Sequence, residues 1–184
     1  GIAYLDAGMS GGASGADAGT LTLMVGGDPA AYERTRPVFE LIARRLFHLG
    51  GSGAGHTMKL IHNMVCHTIF LATCEGGRMA QAAGIDPAGM IEVFNVSNAR
   101  SYASEVRFPA HILSGKWDAR SRVQNLYKDL SMAVELAGAL DAKVPLGSVT
   151  REFLEVAIRQ GMTDTDFSRL YPRFDDIAAD LGGG

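Results

Sequence analysis

The stretch GAGHTMKLIHNMV, from Gly53 to Val65, decides how the rest of the chain is read. Its apolar residues recur with a helical period, and Lys59, His62 and Asn63 fall three and four apart, which sets them on one stripe of a long helix. An ammonium and a carboxamide on a face rich in Met, Leu, Ile and Val are costly to leave without partners. The stripe therefore points to something bound.

Outward from that helix the chain changes character near residue 50. Upstream, Ile2 to Ala7 reads as a short buried strand, the Gly-rich stretch Gly8 to Gly19 as a loop, and Thr20 to Val25 as a second strand rich in β-formers. Gly26 and Gly27 end it. Asp28 is a good N-cap with Pro29 in the first helical position. They open a helix expected to run to about Arg45, with one more strand at Leu46 to Leu49. The order is β-loop-β-α-β. Downstream of Ser52 no strand is predicted. Helical periods run from about Ala54 to Ala83, stop at Gly84 and restart behind the Asp86–Pro87 cap. They recur at roughly Val123 to Ala139, Pro145 to Gly161 and Thr165 to Leu181. The predicted fold class is thus an α/β remnant followed by an all-α part, with domains at 1–50 and 51–184. There is no internal repeat, and no low-complexity tract beyond the terminal Gly182 to Gly184.

Composition narrows the function. With 184 residues, 47% hydrophobic and 20% charged, the chain is an ordinary globular protein of one or two domains, and disorder is excluded. A net charge of −3 with scattered basic residues gives no footprint for nucleic acid or anionic lipid. The expected partner is a small molecule or another copy. Cys66 and Cys74 lie about 12 Å apart along a helix at the usual rise, too far for a disulfide, so a reducing cytoplasm is the expected compartment. The most apolar stretch, Met64 to Thr73, is too short for a membrane span, and nothing reads as a signal peptide. The first residue is Gly1 rather than Met and leads straight into IAYLDA, so an upstream portion is expected.

The second chemical signal is DAGMSGGASGADAGTLTLMVGG, from Asp6 to Gly27. No Gly-Lys-Ser/Thr follows its glycines, so it is no P-loop. Such a stretch serves either as a flexible turn or as a nest of backbone N–H groups suited to a carboxylate or phosphate. Ser10 adds a hydroxyl beside Gly11 and Gly12.

These residues carry a family resemblance. Asp6 to Gly27 is similar to the substrate-binding loop of the β-hydroxyacid dehydrogenases, which usually reads DAPVSGG, then GTL and MVGG. Gly53-Ala54-Gly55 with Lys59 and Asn63 resembles the catalytic helix G-x-G-x-x-x-K-x-x-x-N of that family, and Lys128-Asp129-Leu130 resembles its later K-D-L signature. Three motifs in the right order, across residues 1 to about 140, are far more specific than any one of them.

The resemblance implies the end of a Rossmann-type sheet joined by a long helix to a helical substrate and dimerisation domain, as a homodimer or homotetramer. It implies hydride transfer between a short 3-hydroxy acid and NAD or NADP, with the present chain inactive alone. Lys59 would exchange the hydroxyl proton, since a lysine enclosed by apolar walls gives up its proton more readily. Ser10, Gly11 and Gly12 would hold the substrate carboxylate, Asn63 would hydrogen-bond the reacting group, and His62 is a further substrate contact. Lys128 would lie near the nicotinamide and Asp129 would orient it.

His56 and His62 echo the GHxxKxxHN form of 6-phosphogluconate dehydrogenase. Where that branch has a proton-donating Glu and a phosphate-binding Tyr, this chain has Cys66 and His67, which argues against its decarboxylation. Gly8-Met9 stands for the usual Pro-Val, and Ser121 for an aromatic upstream of K-D-L, so the substrate's identity stays open. His62 and Cys66 have metal-ligand spacing, but no second pair completes a site, and no metal is expected. The other readings are an imine reductase, which tends to replace the lysine that stands here as Lys59, and a non-catalytic helical dimerisation module, which would need none of Ser10, Lys59, Asn63 and Lys128.

Overall fold

Strand β1, Leu5–Ser10, pairs antiparallel with β2, Leu21–Gly27, and β2 pairs in parallel with β3, Ala43–His48. The computed structural model describes residues 1–182, so the last two glycines of the terminal run lie outside the described residues. The chain divides into two units, one from Gly1 to His62 and one from Asn63 onward. The division falls inside the long helix α3, Ala54–Ala82.

In the first unit β2 is central in the order β1-β2-β3 and almost wholly buried. Leu21, Leu23 and Val25 pack there with Tyr32 and Ala43. Helix α2, Pro29–Phe39, begins as its local chemistry dictates, the Asp28 carboxylate accepting the Ala31 N–H at 2.8 Å. The helix expected to reach Arg45 stops at Phe39. Pro37 lies inside its last turn, and residues from Ala43 onward are taken up by the parallel ladder with β2, Arg45 opposite Thr22 and Leu46 opposite Leu23. Pairing with a buried strand outweighs helix propensity here.

The glycine-rich stretch corrects a second expectation, since it is not simply a loop. β1 continues through Gly8 to Ser10, and Gly12–Asp17 forms a short helix, α1. Gly8 can be part of a strand packed this closely because it has no side chain. A Cβ there would stand 2.6 Å from Lys59 Cβ and 2.9 Å from the Gly55 carbonyl oxygen. Gly55 is tighter still, since its missing Cβ would collide with the Met24 carbonyl oxygen.

The second unit is helical. After α3, Gly84 adopts a positive φ of 77°, which ends the helix in the manner favoured by glycine. Asp86 and Pro87 open α4, Pro87–Asn95. Ala103–Leu113, for which no element was predicted, winds as a π-helix around Pro109. Then come α5, Val123–Ala139, and α6, Pro145–Arg159. The single helix expected over Thr165–Leu181 is instead a 3₁₀ turn, Phe167–Leu170, and a short helix α7, Phe174–Ala179. Pro172 lies between them and has no N–H to donate.

One aromatic core holds this unit. Phe70 meets Phe167 edge-on at 4.9 Å and Phe108 meets Tyr171 at 5.0 Å, around fully buried Leu126, Leu130, Leu154 and Ile177. The buried residues of α5 (Val123, Leu126, Leu130, Ala133, Ala137) keep helical spacing. Its opposite face carries Lys128, which is exposed. Cys66 and Cys74 are free thiols, the second fully buried, and burial pushes its thiol well up. Among the described residues no helix is long and apolar enough to cross a membrane.

Candidate active site

The first unit brings Ser10, Lys59 and His62 together. Because Gly8 lacks a side chain, the β1 backbone lies against the stem of Lys59. Two residues further along β1, the Ser10 hydroxyl is 3.5 Å from His62 Nε2. Lys59 and His62 are half-buried, while Gly11 and Gly12 are exposed at the end of the strand. The last two have φ values of 127° and 61°, a region that side chains other than glycine rarely adopt. The Gly-rich segment therefore faces the Lys59 stripe.

Asp6, which sequence reasoning passed over, anchors this arrangement. Its side chain, 3% exposed, accepts the N–H of Gly53 at 2.6 Å and of His56 at 2.8 Å. It thus satisfies the orphan donors at the start of α3 from a neighbouring strand, where the helix dipole also favours an anion. Burial pushes the Asp6 carboxyl up, but the two backbone bonds and the His56 charge outweigh it and hold the group below its ordinary 3.8. The usable signal was an Asp in an apolar strand just before the glycines.

The second unit brings Asn63, Lys128 and Asp129 together. Asn63 Nδ2 donates to Asp129 Oδ2 at 2.7 Å, and Lys128 Nζ lies 3.1 Å from Oδ1. His67, missed as a site residue, places Nε2 at 3.8 Å from Oδ2. Burial raises the Asp129 carboxyl, and the His67, Lys128 and Asn63 side chains reverse that, so it lies below the ordinary carboxylate range. Its spacing of four from Asn63 was the available signal, because that places both on one face of α3. Ser121 does not join this group. It accepts a hydrogen bond from Asn125 at 3.3 Å. Among the described residues no group of three or more His, Cys, Asp and Glu is placed to hold a metal ion.

Comparison with known proteins agrees with these motifs. Residues 53–174 match the family model described as NAD-binding of NADP-dependent 3-hydroxyisobutyrate dehydrogenase, and residues 1–50 match that of the NAD binding domain of 6-phosphogluconate dehydrogenase. An NAD-dependent L-serine dehydrogenase of Pseudomonas aeruginosa is 35% identical over 95% of this chain and 61% of its own length. The 3-hydroxyisobutyrate dehydrogenase of the same organism is 32% identical over 93% and 61%. A Mycobacterium tuberculosis 3-hydroxyisobutyrate dehydrogenase solved with L-serine superimposes with a TM-score of 0.84 at 30% identity, covering 92% of this chain and 60% of that one. The chain thus spans about three-fifths of the length of these relatives. On the family-model match and the motifs that carry it, the chain belongs to the β-hydroxyacid dehydrogenase family.

Proposed function

We propose that this chain is the substrate-side part of an NAD(P)-dependent dehydrogenase that interconverts a short 3-hydroxy acid and its semialdehyde or keto acid. The observation that carries this reading is the contact of Gly8 with the Lys59 stem, because it sets the Ser10–Gly12 segment beside the one lysine of the catalytic motif. L-Serine and 3-hydroxyisobutyrate, named for the relatives, share a primary hydroxyl on the carbon β to a carboxylate. That pattern of one anion and one hydroxyl suits an anion-binding segment next to a proton carrier.

In this reading Ser10, Gly11 and Gly12 hold the carboxylate, with His62 as a second contact to the substrate. As hydride leaves the hydroxyl-bearing carbon, the O–H bond breaks and its proton passes to the neutral amine of Lys59. Reduction runs the same steps backward. Asn63, one turn further along α3, hydrogen-bonds the reacting group of the substrate through its carboxamide, whose Nδ2 also donates to Asp129.

The residues present fit one end of a dinucleotide. Lys128 has an exposed side chain beside Asp129, where it can reach the nicotinamide end, and Asp129 orients it. No G-x-G-x-x-G occurs in the sequence, so the pyrophosphate cradle is not supplied by these residues. When bound, NAD or NADP supplies the hydride acceptor or donor. Residues 1–50 are then the end of the nucleotide domain and residues 51–184 the substrate and dimerisation domain. Exposed Val93, Val96, Leu146 and Val149 on the helical unit support a homodimer or homotetramer, and the cytoplasm is the compartment proposed for it, on the unpaired cysteines of the sequence.

The test is turnover by the full-length protein. With NAD or NADP it should oxidise L-serine, 3-hydroxyisobutyrate or another short 3-hydroxy acid, followed by nicotinamide absorbance, and sediment as a dimer or tetramer. Activity confined to 2-hydroxy acids or imines contradicts the substrate reading, and a monomer contradicts the assembly.

A further inference from the structure

Arg107 lies near the middle of the π-helix Ala103–Leu113, a winding that often marks functional positions. Its guanidinium carbon stands over three rings, 5.0 Å from the centre of Phe167, 5.7 Å from Tyr102 and 6.0 Å from Phe70. The rings favour its charge but offer no oxygen to the N–H groups of the fork. Nη1 is buried and has no hydrogen-bond partner among the described residues, and the nearest acid in sequence, Glu105, pairs with Arg100. Arg151 also has a buried nitrogen without a partner, but its guanidinium meets Glu155 at 3.5 Å. A half-buried guanidinium without an acceptor is costly, which suits Arg107 to an anion from outside. The helices set that anion near the candidate site. On α3, Phe70 follows Asn63 by seven residues, on the same face and about 10 Å along the axis. On α5, Asn125 is one turn before Asp129 and donates to Ser121, whose carbonyl accepts the Phe167 N–H at 2.9 Å. Both routes from the Asn63–Asp129 pair thus end at rings that lie under Arg107.

We propose that Arg107 binds a second carboxylate of the substrate, carried on a short side chain from carbon 2, so that the preferred 3-hydroxy acid is a dicarboxylate. One guanidinium matches the single charge and the two oxygens of a carboxylate. The proposal rests on the dehydrogenase reading for its consequence in turnover, though not for binding.

The experiment uses the full-length protein and two analogues of 3-hydroxyisobutyrate, in which a carboxyethyl or a carbamoylethyl group replaces the methyl. The two have nearly the same shape and differ in the charge at the far end. Wild type should favour the acid over the amide by roughly 10–100-fold in kcat/KM, the ordinary worth of hydrogen bonds to a charged group. In Arg107→Gln that ratio should fall to near unity, and in Arg107→Lys to an intermediate value, because the charge stays while the fork is lost. Should Arg107→Gln fold poorly, Arg107→Met carries the same prediction. A wild type indifferent to the two analogues, or an Arg107→Gln protein that keeps the preference, overturns the proposal. So does an Arg107→Gln protein that dissociates into monomers with its ratio unmoved, since Arg107 then serves an acidic group of a second copy. A wild type that turns over no 3-hydroxy acid sinks the dehydrogenase reading alone. Binding is then read from the Arg107 Nε–H resonance, identified by its absence from Arg107→Gln, which should shift with the acid and not with the amide. A resonance that the acid leaves in place overturns the proposal.

Discussion

The start of α3 is held through its backbone and its middle through a side chain. Asp6 accepts the N–H groups of Gly53 and His56, whereas Asp129 accepts from the Asn63 carboxamide. The first grip is indifferent to which side chains the helix carries, and it satisfies donors that every helix start leaves over. The second selects one rotamer and one amide orientation of one residue. Two buried or half-buried carboxylates that grip one helix thus serve different ends, Asp6 of β1 holding the helix start and Asp129 of α5 holding one side chain of the candidate site.

The largest expected effect breaks the first grip by pushing α3 off the sheet. Gly55→Ala places a methyl group against the Met24 carbonyl oxygen and 2.9 Å from the Asp6 carbonyl oxygen, and backbone cannot yield as a flexible side chain does. The cost should be about 3 kcal/mol, the upper part of the range for overpacking, read from urea unfolding of the full-length protein. A loss under about 1 kcal/mol would mean that the helix start is more yielding than this packing implies.

Asp6→Asn sharpens the comparison with a smaller change. One acceptor survives but the charge is lost, so the expected cost is about 1–3 kcal/mol, as for hydrogen bonds to an ionised group. The Asp6 carboxyl titrates below its ordinary 3.8 in the folded chain, so its contribution is complete above that value and disappears as pH falls through the lower, folded one. The stability gap between wild type and Asp6→Asn should therefore narrow on acidification below 3.8. A gap that widens there reverses the assignment. Turnover per folded molecule should change little in this variant, in contrast to Asp129→Asn.

What could be read from the sequence was what local chemistry decides. Asp28–Pro29, Asp86–Pro87 and Gly84 mark helix ends through caps and positive φ, and the span Val123–Ala139 follows from an unbroken apolar period. The start of β3 at Ala43 was hidden because its partner, Leu21, is distant in sequence. The π-helix around Pro109 was hidden because its winding departs from the 3.6-residue period that reveals helices. The same division runs through the site. The Lys59, His62 and Asn63 stripe is a matter of spacing within one helix, whereas the approach of Gly8 to Lys59 and of His67 to Asp129 depends on tertiary packing. Spacing could name the residues on α3 but not the residues that hold them.

The most direct test of the whole account is the turnover of full-length Lys59→Met, which keeps the length and packing of the stem and removes the amine. We expect kcat for a short 3-hydroxy acid to fall about 10²–10⁴-fold, the usual worth of general acid–base help, with the unfolding midpoint nearly unchanged. A Lys59→Met enzyme that keeps most of the wild-type kcat would contradict the proposed role of Lys59 and, with it, the reading of this helix as the catalytic one.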